Sequence, residues 1–443
     1  MPEADDAALA SRVAATAPSL LLPESHEVAG LVPPVDLVAS APLTDNLVLS
    51  VLRDAAGTLV AAPLVTGPRH NGAGIRRAVA TDGAARALAN LLARSGRLDG
   101  EVFDVATVDP GAAPGPDATE RPMLVDQTHE SVVVAEDVVV KWAVHAEQTP
   151  APSLVAHLAQ AGFTQMPRPW GFVTWSGRDA EPVLVASAMQ YLQGASDGWT
   201  WAVQDAGDFA ARDGDLASSV RAMVEVGRLV ADLHSALATS TAVTPHPVCR
   251  ATAQDVEAWH ALARRLLDDA VRAVDGPEGE RLIDRRDAMT AAIDAMLEAE
   301  GCLTIPVHGD LHVGQVLRWT GGYAVGDFDG NPVLPVSERL RPQAAARDVA
   351  GMLQALDHVG RVVNRRVDGS DAERVTRWIA AAQQQFIASY RERLHTHRST
   401  ELLDERLLLP FQVEQECREF LYAVHHRPQW RYVPDQALQA LFP

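Results

Sequence analysis

The segment from His308 to Pro332, HGDLHVGQVLRWTGGYAVGDFDGNP, most constrains what this chain can fold into. Two short apolar runs flank a glycine pair at 321–322, which predicts two antiparallel strands joined by a tight turn. A loop containing Asp310 precedes the first strand, and the second strand is predicted to end at Asp327. The hairpin therefore brings the second carboxylate back beside the loop that holds the first.

This arrangement of polar residues suits phosphoryl transfer. Such a reaction needs a carboxylate that orients and deprotonates an attacking hydroxyl group, and oxygen ligands that hold Mg²⁺ against the transferring phosphates. Asp310 can fill the first role, while Gln315 and Asp327 can bind the metal. Asp329 is a further candidate, either for the metal or for the acceptor molecule. We therefore expect a magnesium-dependent phosphotransferase.

The order of these motifs resembles the kinase-like phosphotransferases, which include the protein kinases, the aminoglycoside phosphotransferases and the actinobacterial maltokinases. The shared pattern is His-x-Asp, an amide five positions later, and a strand followed by Asp-Phe-Asp. Gln315 departs from the Asn that most members carry, and HGDLHVGQVL is similar to the maltokinase wording. The resemblance implies an α+β, bilobal kinase-like fold with a β-rich amino-terminal lobe, a mainly helical carboxy-terminal lobe, and ATP as co-substrate.

Length and charge limit the possible partners. A chain of 443 residues with 47% hydrophobic content suits two or three globular modules. Its net charge of −20 argues against nucleic acid or an anionic membrane as a partner. The three cysteines lie far apart, so neither zinc nor a disulfide framework is indicated. No targeting or membrane-spanning segment is apparent, and we expect a soluble, cytoplasmic monomer.

The chain is predicted to contain three parts. Residues 1–108 show a helical stretch, apolar strands with a turn at 54–57 and a second helix, which suits an α/β cap domain. A Pro- and Gly-rich linker, DPGAAPGPDATE, follows. Residues 121–193 form the predicted amino-terminal lobe, and residues 194–443 form the predicted helical lobe with the catalytic loop.

The resemblance places the nucleotide in the lobe of residues 121–193. The start of this lobe predicts a strand, a tight turn at 135–137 and a second strand. Lys141, the only lysine of the chain, falls on the second strand, where kinases bind phosphate through a lysine. Gln127 to Ser131 replaces the usual Gly-rich loop, and backbone near Gln190 and Leu192 is expected to bind adenine. The helix after Lys141 offers no acid: Ser153 stands where the paired glutamate is expected, and Glu147 is an alternative partner.

The same resemblance supplies candidates for an acceptor sugar. They lie in the catalytic loop, in the GASDGWT turn and in the carboxy-terminal segment FQVEQECREFLYAVHHRPQW. Carboxylates and aromatic faces commonly bind sugars. These candidates are Asp197, Asp310, Glu414, Glu419, Tyr422 and Trp430. Trp199 and Trp201 are candidate packing aromatics, and His234 is expected to be a core histidine. Arg347 and Asp348 are expected to brace the catalytic loop.

Two short motifs favour one branch of this superfamily. Maltokinases typically read DFEGEP after the second catalytic strand, whereas DFDGNP and DGWT in this chain resemble the related actinobacterial glucosamine kinases. The resemblance implies phosphorylation of glucosamine at its 6-hydroxyl group. Three alternatives remain open: a maltokinase, an aminoglycoside phosphotransferase, and a pseudokinase that senses or binds a sugar. The missing acid opposite Lys141 keeps the last alternative open.

Overall fold

The computed structural model describes residues 2–23, 30–67, 74–98, 102–123, 129–177, 181–211, 214–366 and 371–443. The chain divides into two compact units. Unit 1 comprises Met1–Ala159 and Pro167–Gln193, and unit 2 comprises Gln160–Met166 and Gly194–Pro443. Unit 1 contains the large sheets and unit 2 is mainly helical, which confirms the predicted α+β fold.

Unit 1 begins with a four-stranded antiparallel meander. Its elements are α1 (Pro2–Ala14), β1 (Val35–Thr44), β2 (Leu47–Asp54), β3 (Leu59–Val65), β4 (Arg76–Arg77) and α2 (Ala84–Ala93). The carboxylate of Asp54 accepts hydrogen bonds from the backbone N–H groups of Ala56 at 2.9 Å and Thr58 at 2.7 Å. This side chain organises the turn between β2 and β3, which confirms the predicted hairpin.

A second, six-stranded antiparallel sheet completes unit 1 in the order β5-β9-β10-β8-β7-β6. Its elements are β5 (Phe103–Thr107), β6 (Glu120–Met123), β7 (His129–Val134), β8 (Val138–Ala143), α3 (Ala151–Gln160), β9 (Pro169–Trp175) and β10 (Val183–Gln190). Ala135 and Glu136 both have positive φ, 55° and 52°. Positive φ at both central residues is typical of the tight turn that joins twisted strands, and the turn predicted at 135–137 is confirmed.

The two sheets of unit 1 share a hydrophobic core around α2. Leu88 and Leu92 of this helix are fully buried with Leu49 of the first sheet and Trp142 and Trp170 of the second. The predicted cap range, 1–108, also includes β5, which pairs with β9 in the second sheet. The boundary at 108 therefore cuts through a shared structure, and an independently folding cap stays a prediction.

Unit 2 is a helical assembly that carries two small two-stranded sheets, of which β13 and β14 form a hairpin. Its helices are α4 (Gly198–Ala211), α5 (Leu216–Ser219), α6 (Arg221–Leu237), α7 (Ala253–Ala273), α8 (Gly276–Asp294), α9 (Val336–Arg339), α10 (Ala346–Arg366), α11 (Ala372–His397), α12 (Leu408–His426) and α13 (Tyr432–Leu441). Its strands are β11 (Cys249–Arg250), β12 (Leu303–Thr304), β13 (Val316–Trp319) and β14 (Gly322–Val325). The hairpin predicted after the catalytic loop is formed by β13 and β14 and is thus confirmed; it is called the catalytic hairpin below. Its second strand ends at Val325, two residues before the predicted end.

Helix α10 lies at the centre of unit 2 and packs against α4, α11 and α12. It is buried around most of its circumference, including polar residues that are discussed below. Close packing elsewhere depends on small residues: a Cβ atom at Gly227 of α6 would lie 2.4 Å from the carbonyl oxygen of Phe386 in α11. In the described part of the chain, no helix is both long and apolar enough to cross a membrane.

Candidate active site

The catalytic loop is anchored by one buried carboxylate. Asp348, near the start of α10, accepts hydrogen bonds from the backbone N–H groups of His308 at 2.8 Å and Gly309 at 2.9 Å. His234 of α6 donates to the same carboxylate at 3.2 Å and accepts from the Tyr390 hydroxyl group at 2.7 Å. Burial alone would raise the pKa of Asp348, but these hydrogen bonds hold it below its usual value. The predicted bracing by Asp348 is confirmed.

The hairpin also contacts its neighbours through backbone atoms. The His308 side chain donates to the carbonyl oxygen of Gly326 at 2.9 Å, and the Trp201 indole donates to that of Val316 at 3.0 Å. A Cβ atom at Gly198 would lie only 1.6 Å from the carbonyl oxygen of Val313. The glycine of the DGW motif therefore allows α4 to approach the hairpin closely.

The hairpin brings the two main metal-ligand candidates together. The Gln315 side-chain amide donates to the Asp327 carboxylate at 3.2 Å, and the backbone carbonyl oxygen of Gln315 accepts from the N–H of Gly326 at 2.9 Å. Asp327 has φ of 62°, a left-handed conformation that is uncommon for a residue with a side chain and often occurs at functional sites. An exposed carboxylate and an amide oxygen fit Mg²⁺, which usually binds one or two protein groups besides water and phosphate oxygens.

A cavity of about 640 Å³ lies in unit 2 beside the catalytic loop. Asp310, His312 and Asn331 form part of its wall, together with residues from α10, α12 and the turn after α12. The predicted sugar-binding residues Glu419, Tyr422 and Trp430 line the same cavity. Its size suits a small molecule, and its polar groups come from several elements.

Asp310 is half-buried in this wall. Its carboxylate accepts a hydrogen bond from the side-chain amide of Asn331 at 2.8 Å. Burial raises the pKa of Asp310, and the nearby His312 and Arg418 oppose that increase. A carboxylate with a raised pKa is a stronger base than one with the usual pKa, which suits removal of a hydroxyl proton.

Two relatives decide the family. The chain is 45% identical over 441 residues to the glucosamine kinase of Streptacidiphilus jiangxiensis, covering 97% of each chain. It is 41% identical over 329 residues to the glucosamine kinase of Mycolicibacterium smegmatis (strain ATCC 700084 / mc(2)155), covering 73% of this chain and 79% of the relative. The chain belongs to the glucosamine kinase family.

Solved structures agree with this assignment. A glucosamine kinase in complex with glucosamine, ADP and inorganic phosphate matches with a TM-score of 0.83 and 41% identity, covering 98% of this chain and 99% of that chain. A second crystal form of a glucosamine kinase matches with a TM-score of 0.85 and 41% identity, covering 98% and 99%. No family model matches the chain. The kinase-like fold and the resemblance to glucosamine kinases that the sequence predicted are thus confirmed.

In this member of the glucosamine kinase family, Arg347 and Glu414 form a buried ion pair. Arg347 donates to the Glu414 carboxylate at 2.6 Å and packs over the Phe411 ring at 4.3 Å, and both charged side chains are buried. The predicted bracing of the loop by Arg347 is therefore wrong. Glu414 was predicted to bind the sugar, but its side chain is fully buried and is absent from the described lining of the cavity, so this contact stays a prediction without support from this geometry.

Asp197 also has a local role that the sequence did not indicate. Its carboxylate accepts from the backbone N–H of Thr200 at 2.9 Å and from the Thr200 hydroxyl group at 2.7 Å. It therefore caps the first turn of α4, and it is absent from the described lining of the cavity. Its predicted contact with the sugar stays a prediction without support from this geometry.

Trp199 of the GASDGWT motif and Trp201, which directly follows the motif, lie in different environments. Trp201 is fully buried and packs edge-on against Tyr323 at 5.6 Å, which confirms a packing role. Trp199 instead lines the cavity with its ring centroid 5.7 Å from that of Trp430. The Arg366 guanidinium lies 5.9 Å from the Trp430 ring. These two rings form an aromatic part of the wall, of the kind on which a sugar ring can stack.

Sequence reasoning missed two polar residues of α10 that line the cavity. Gln354 and His358 both donate to the buried carboxylate of Glu416 in α12, His358 at 2.8 Å. The side-chain amide nitrogen of Gln412 donates to the side-chain oxygen of Gln354 at 2.8 Å. Burial alone would lower the pKa of His358, but Glu416 raises it to about 9. Gln354 and His358 are four residues apart, which places both side chains on one face of α10, and this spacing was visible in the sequence.

Arg418 is a further missed residue. It lines the cavity, and its Nη2 donates to the side-chain oxygen of Gln415 at 2.5 Å. Its Nε and Nη1 atoms are buried and have no hydrogen-bond partner among the described residues. A buried donor without a partner is costly, so hydroxyl or phosphate oxygens would be favourable ligands.

The predicted nucleotide residues lie in unit 1. Ser131 of β7 and Lys141 of β8 stand directly opposite each other in the antiparallel pair, whereas Gln127 lies outside the described residues. The backbone N–H of Gln190 donates to the Arg168 carbonyl oxygen at 2.8 Å, so this donor is already used. Leu192 is buried just before the chain leaves unit 1 after Gln193.

Proposed function

We propose that this chain transfers the γ-phosphate of ATP to the 6-hydroxyl group of glucosamine. The observation that carries the proposal is Asp310 in the wall of a small cavity with polar, aromatic and aliphatic lining, in a chain that belongs to the glucosamine kinase family. The structural relative that matches nearly the whole chain was solved with glucosamine, ADP and inorganic phosphate, which supports the same pair of substrates here.

In the proposed reaction, Asp310 accepts the proton of the attacking hydroxyl group. The sugar oxygen forms a bond to the γ-phosphorus, the bond from that phosphorus to the β,γ-bridging oxygen of ATP breaks, and ADP leaves. The hydrogen bond from Asn331 fixes one carboxylate oxygen, so the other can receive the proton. The raised pKa of Asp310 favours this transfer.

Gln315 and Asp327 would hold Mg²⁺, and Asp329 is a further ligand candidate. Their oxygen atoms suit this hard cation, and the Gln315–Asp327 hydrogen bond already keeps the two side chains together at 3.2 Å. When bound, the ion would neutralise negative charge on the transferring phosphates. Removal of divalent cations by EDTA should abolish turnover, and added Mg²⁺ should restore it.

In this proposal, Lys141 and Ser131 bind the phosphates of ATP, aided by the loop from Gln127. Gln190 and Leu192 are the adenine-side candidates. Because ATP is kept in the cytoplasm, we also propose a cytoplasmic location. Lys141 is the only lysine, so an amine-reactive reagent can modify only this side chain and the terminal amine. Protection of Lys141 by Mg-ATP, measured by peptide mass spectrometry, would support its role, and equal labelling with and without nucleotide would refute it.

The sugar would bind through complementary groups of the cavity wall. Glu419 can accept hydrogen bonds from the ammonium or hydroxyl groups, and Arg418 can donate to hydroxyl oxygens. Trp430 and Trp199 provide ring faces, while Tyr422 adds a hydroxyl group. This mixture suits a small, hydroxyl-rich and cationic molecule.

A coupled ADP-release assay tests the proposal. We would offer glucosamine, glucose, N-acetylglucosamine, maltose and kanamycin with ATP and Mg²⁺, and we expect the highest kcat/KM for glucosamine. NMR analysis of the product would identify the phosphorylated hydroxyl group. Preferred turnover of maltose or kanamycin would overturn the substrate assignment, and absence of turnover on every sugar would favour a binding protein without catalysis.

A further inference from the structure

Asn331 connects the catalytic carboxylate to the turn that follows it. Its side chain is buried, with 6% exposed. The amide nitrogen donates to Oδ1 of Asp310 at 2.8 Å, while the amide oxygen accepts from the backbone N–H of Val333 at 3.1 Å. The backbone oxygen of Asn331 also accepts from the N–H of Leu334 at 3.1 Å. The side-chain amide of Asn331 therefore donates to Asp310 and at the same time accepts from the turn.

The chemistry of the side chain explains why an amide suits this position. An amide offers a donor and an acceptor at once, whereas a carboxylate offers only acceptors and an aliphatic side chain offers neither. Within the part of the chain that the structure describes, this is the one hydrogen bond recorded for the Asp310 carboxylate. It occupies Oδ1 and leaves Oδ2 for a substrate hydroxyl group.

We propose that Asn331 is a positioning residue for the phosphoryl transfer, acting through Asp310. This inference rests on the proposed function of Asp310 as the base. Val333 and Leu334 line the same cavity as Asn331 and Asp310, so the turn that forms part of the cavity wall is also tied to the proposed base. Misplacement of a reacting group by about 1 Å can cost about 10²-fold in rate, and one rigid amide prevents such a displacement.

The isosteric variant N331D separates positioning from support of the turn. Its carboxylate can still accept from Val333, so a role limited to the turn would survive. It has no donor for Asp310, and two carboxylates would then repel each other. We expect kcat to fall by about tenfold to a hundredfold in N331D and N331A, with KM for ATP unchanged. Thermal melting would verify that both variants are folded.

L340A is the matched control, because Leu340 lies on the same segment, is 45% exposed and does not line the cavity. We expect wild-type kcat for it. In a double-mutant cycle with D310N, N331A should cost little further activity, because its partner is already altered. Wild-type kcat in N331D, or full additivity with D310N, would overturn the inference. Wild-type activity of D310N alone would instead refute the proposed role of Asp310 as the base.

Discussion

The catalytic hairpin and helix α12 both carry acidic residues that the sequence suggested for the site, but they use them differently. In the hairpin region, Asp310 lines the cavity and Asp327 lies beside Gln315. In α12, Glu419 lines the cavity, whereas Glu414 is fully buried in an ion pair with Arg347. The same residue type therefore lines a cavity in one place and lies in a buried ion pair in another.

The difference follows from the geometry of the two elements. A short hairpin fixes its own residues relative to one another, so spacing in the sequence predicts which side chains meet. A helix distributes residues at about 100° each, and positions five apart differ by about 140°. Glu414 and Glu419 therefore cannot share a face. Gln415, Arg418, Glu419 and Tyr422 follow the i, i+3, i+4, i+7 pattern of one face, and all line the cavity.

The largest expected effect is in the catalytic loop that precedes the hairpin. D310N should reduce kcat by about 10²- to 10⁴-fold, because the amide cannot accept the hydroxyl proton. KM for ATP and the melting temperature should remain near wild type. Steady-state kinetics with glucosamine would measure this loss, and E401Q, at an exposed surface position, provides a charge-matched control. Substantial turnover by D310N would mean that another group acts as the base.

The second prediction tests the buried part of α12. E414A should destabilise unit 2 by about 3–5 kcal/mol, because it leaves the Arg347 guanidinium buried without its partner. Denaturant unfolding would measure the loss. The double variant R347M/E414L should recover much of the stability, since it removes both charges together. A loss below about 1 kcal/mol in E414A would show that water or another group replaces the ion pair.

A third, smaller effect is expected on the cavity face of α12. E419Q should raise KM for glucosamine by about tenfold, because a hydrogen bond to a charged group is replaced by a weaker one. Its unfolding free energy should stay near wild type, in contrast to E414A. Kinetics with glucosamine and glucose would show whether the carboxylate favours the amino sugar. An equal change for both sugars would indicate contact with a shared hydroxyl group.

The smallest effect concerns Asp197. D197A should destabilise α4 by about 1 kcal/mol through loss of its cap, and D197S should restore most of that stability. KM for glucosamine should be the same in both variants if capping is the whole role. A raised KM in the stable D197S variant would instead support the sugar contact that the sequence suggested.

The sequence predicted local features better than long-range ones. The catalytic hairpin, the Asp54 turn and the β7–β8 turn each depend on nearby residues, and all three were predicted. Asp348 could be predicted from its place after the metal motif. The pairing of Arg347 with Glu414 and the burial of Glu416 beneath His358 depend on how α10 packs against α12, which helical periodicity alone does not determine.

Gly198 has a consequence for changing the specificity of this enzyme family. Its missing Cβ atom lets α4 meet the hairpin backbone directly, so no rotamer or side-chain size can adjust that contact. A library that varies position 198 would mainly yield damaged catalysts. The face formed by Gln415, Arg418, Glu419 and Tyr422 contributes side chains to the cavity wall, and changes there leave the backbone contact at Gly198 intact. Attempts to evolve a new acceptor preference should therefore begin on α12.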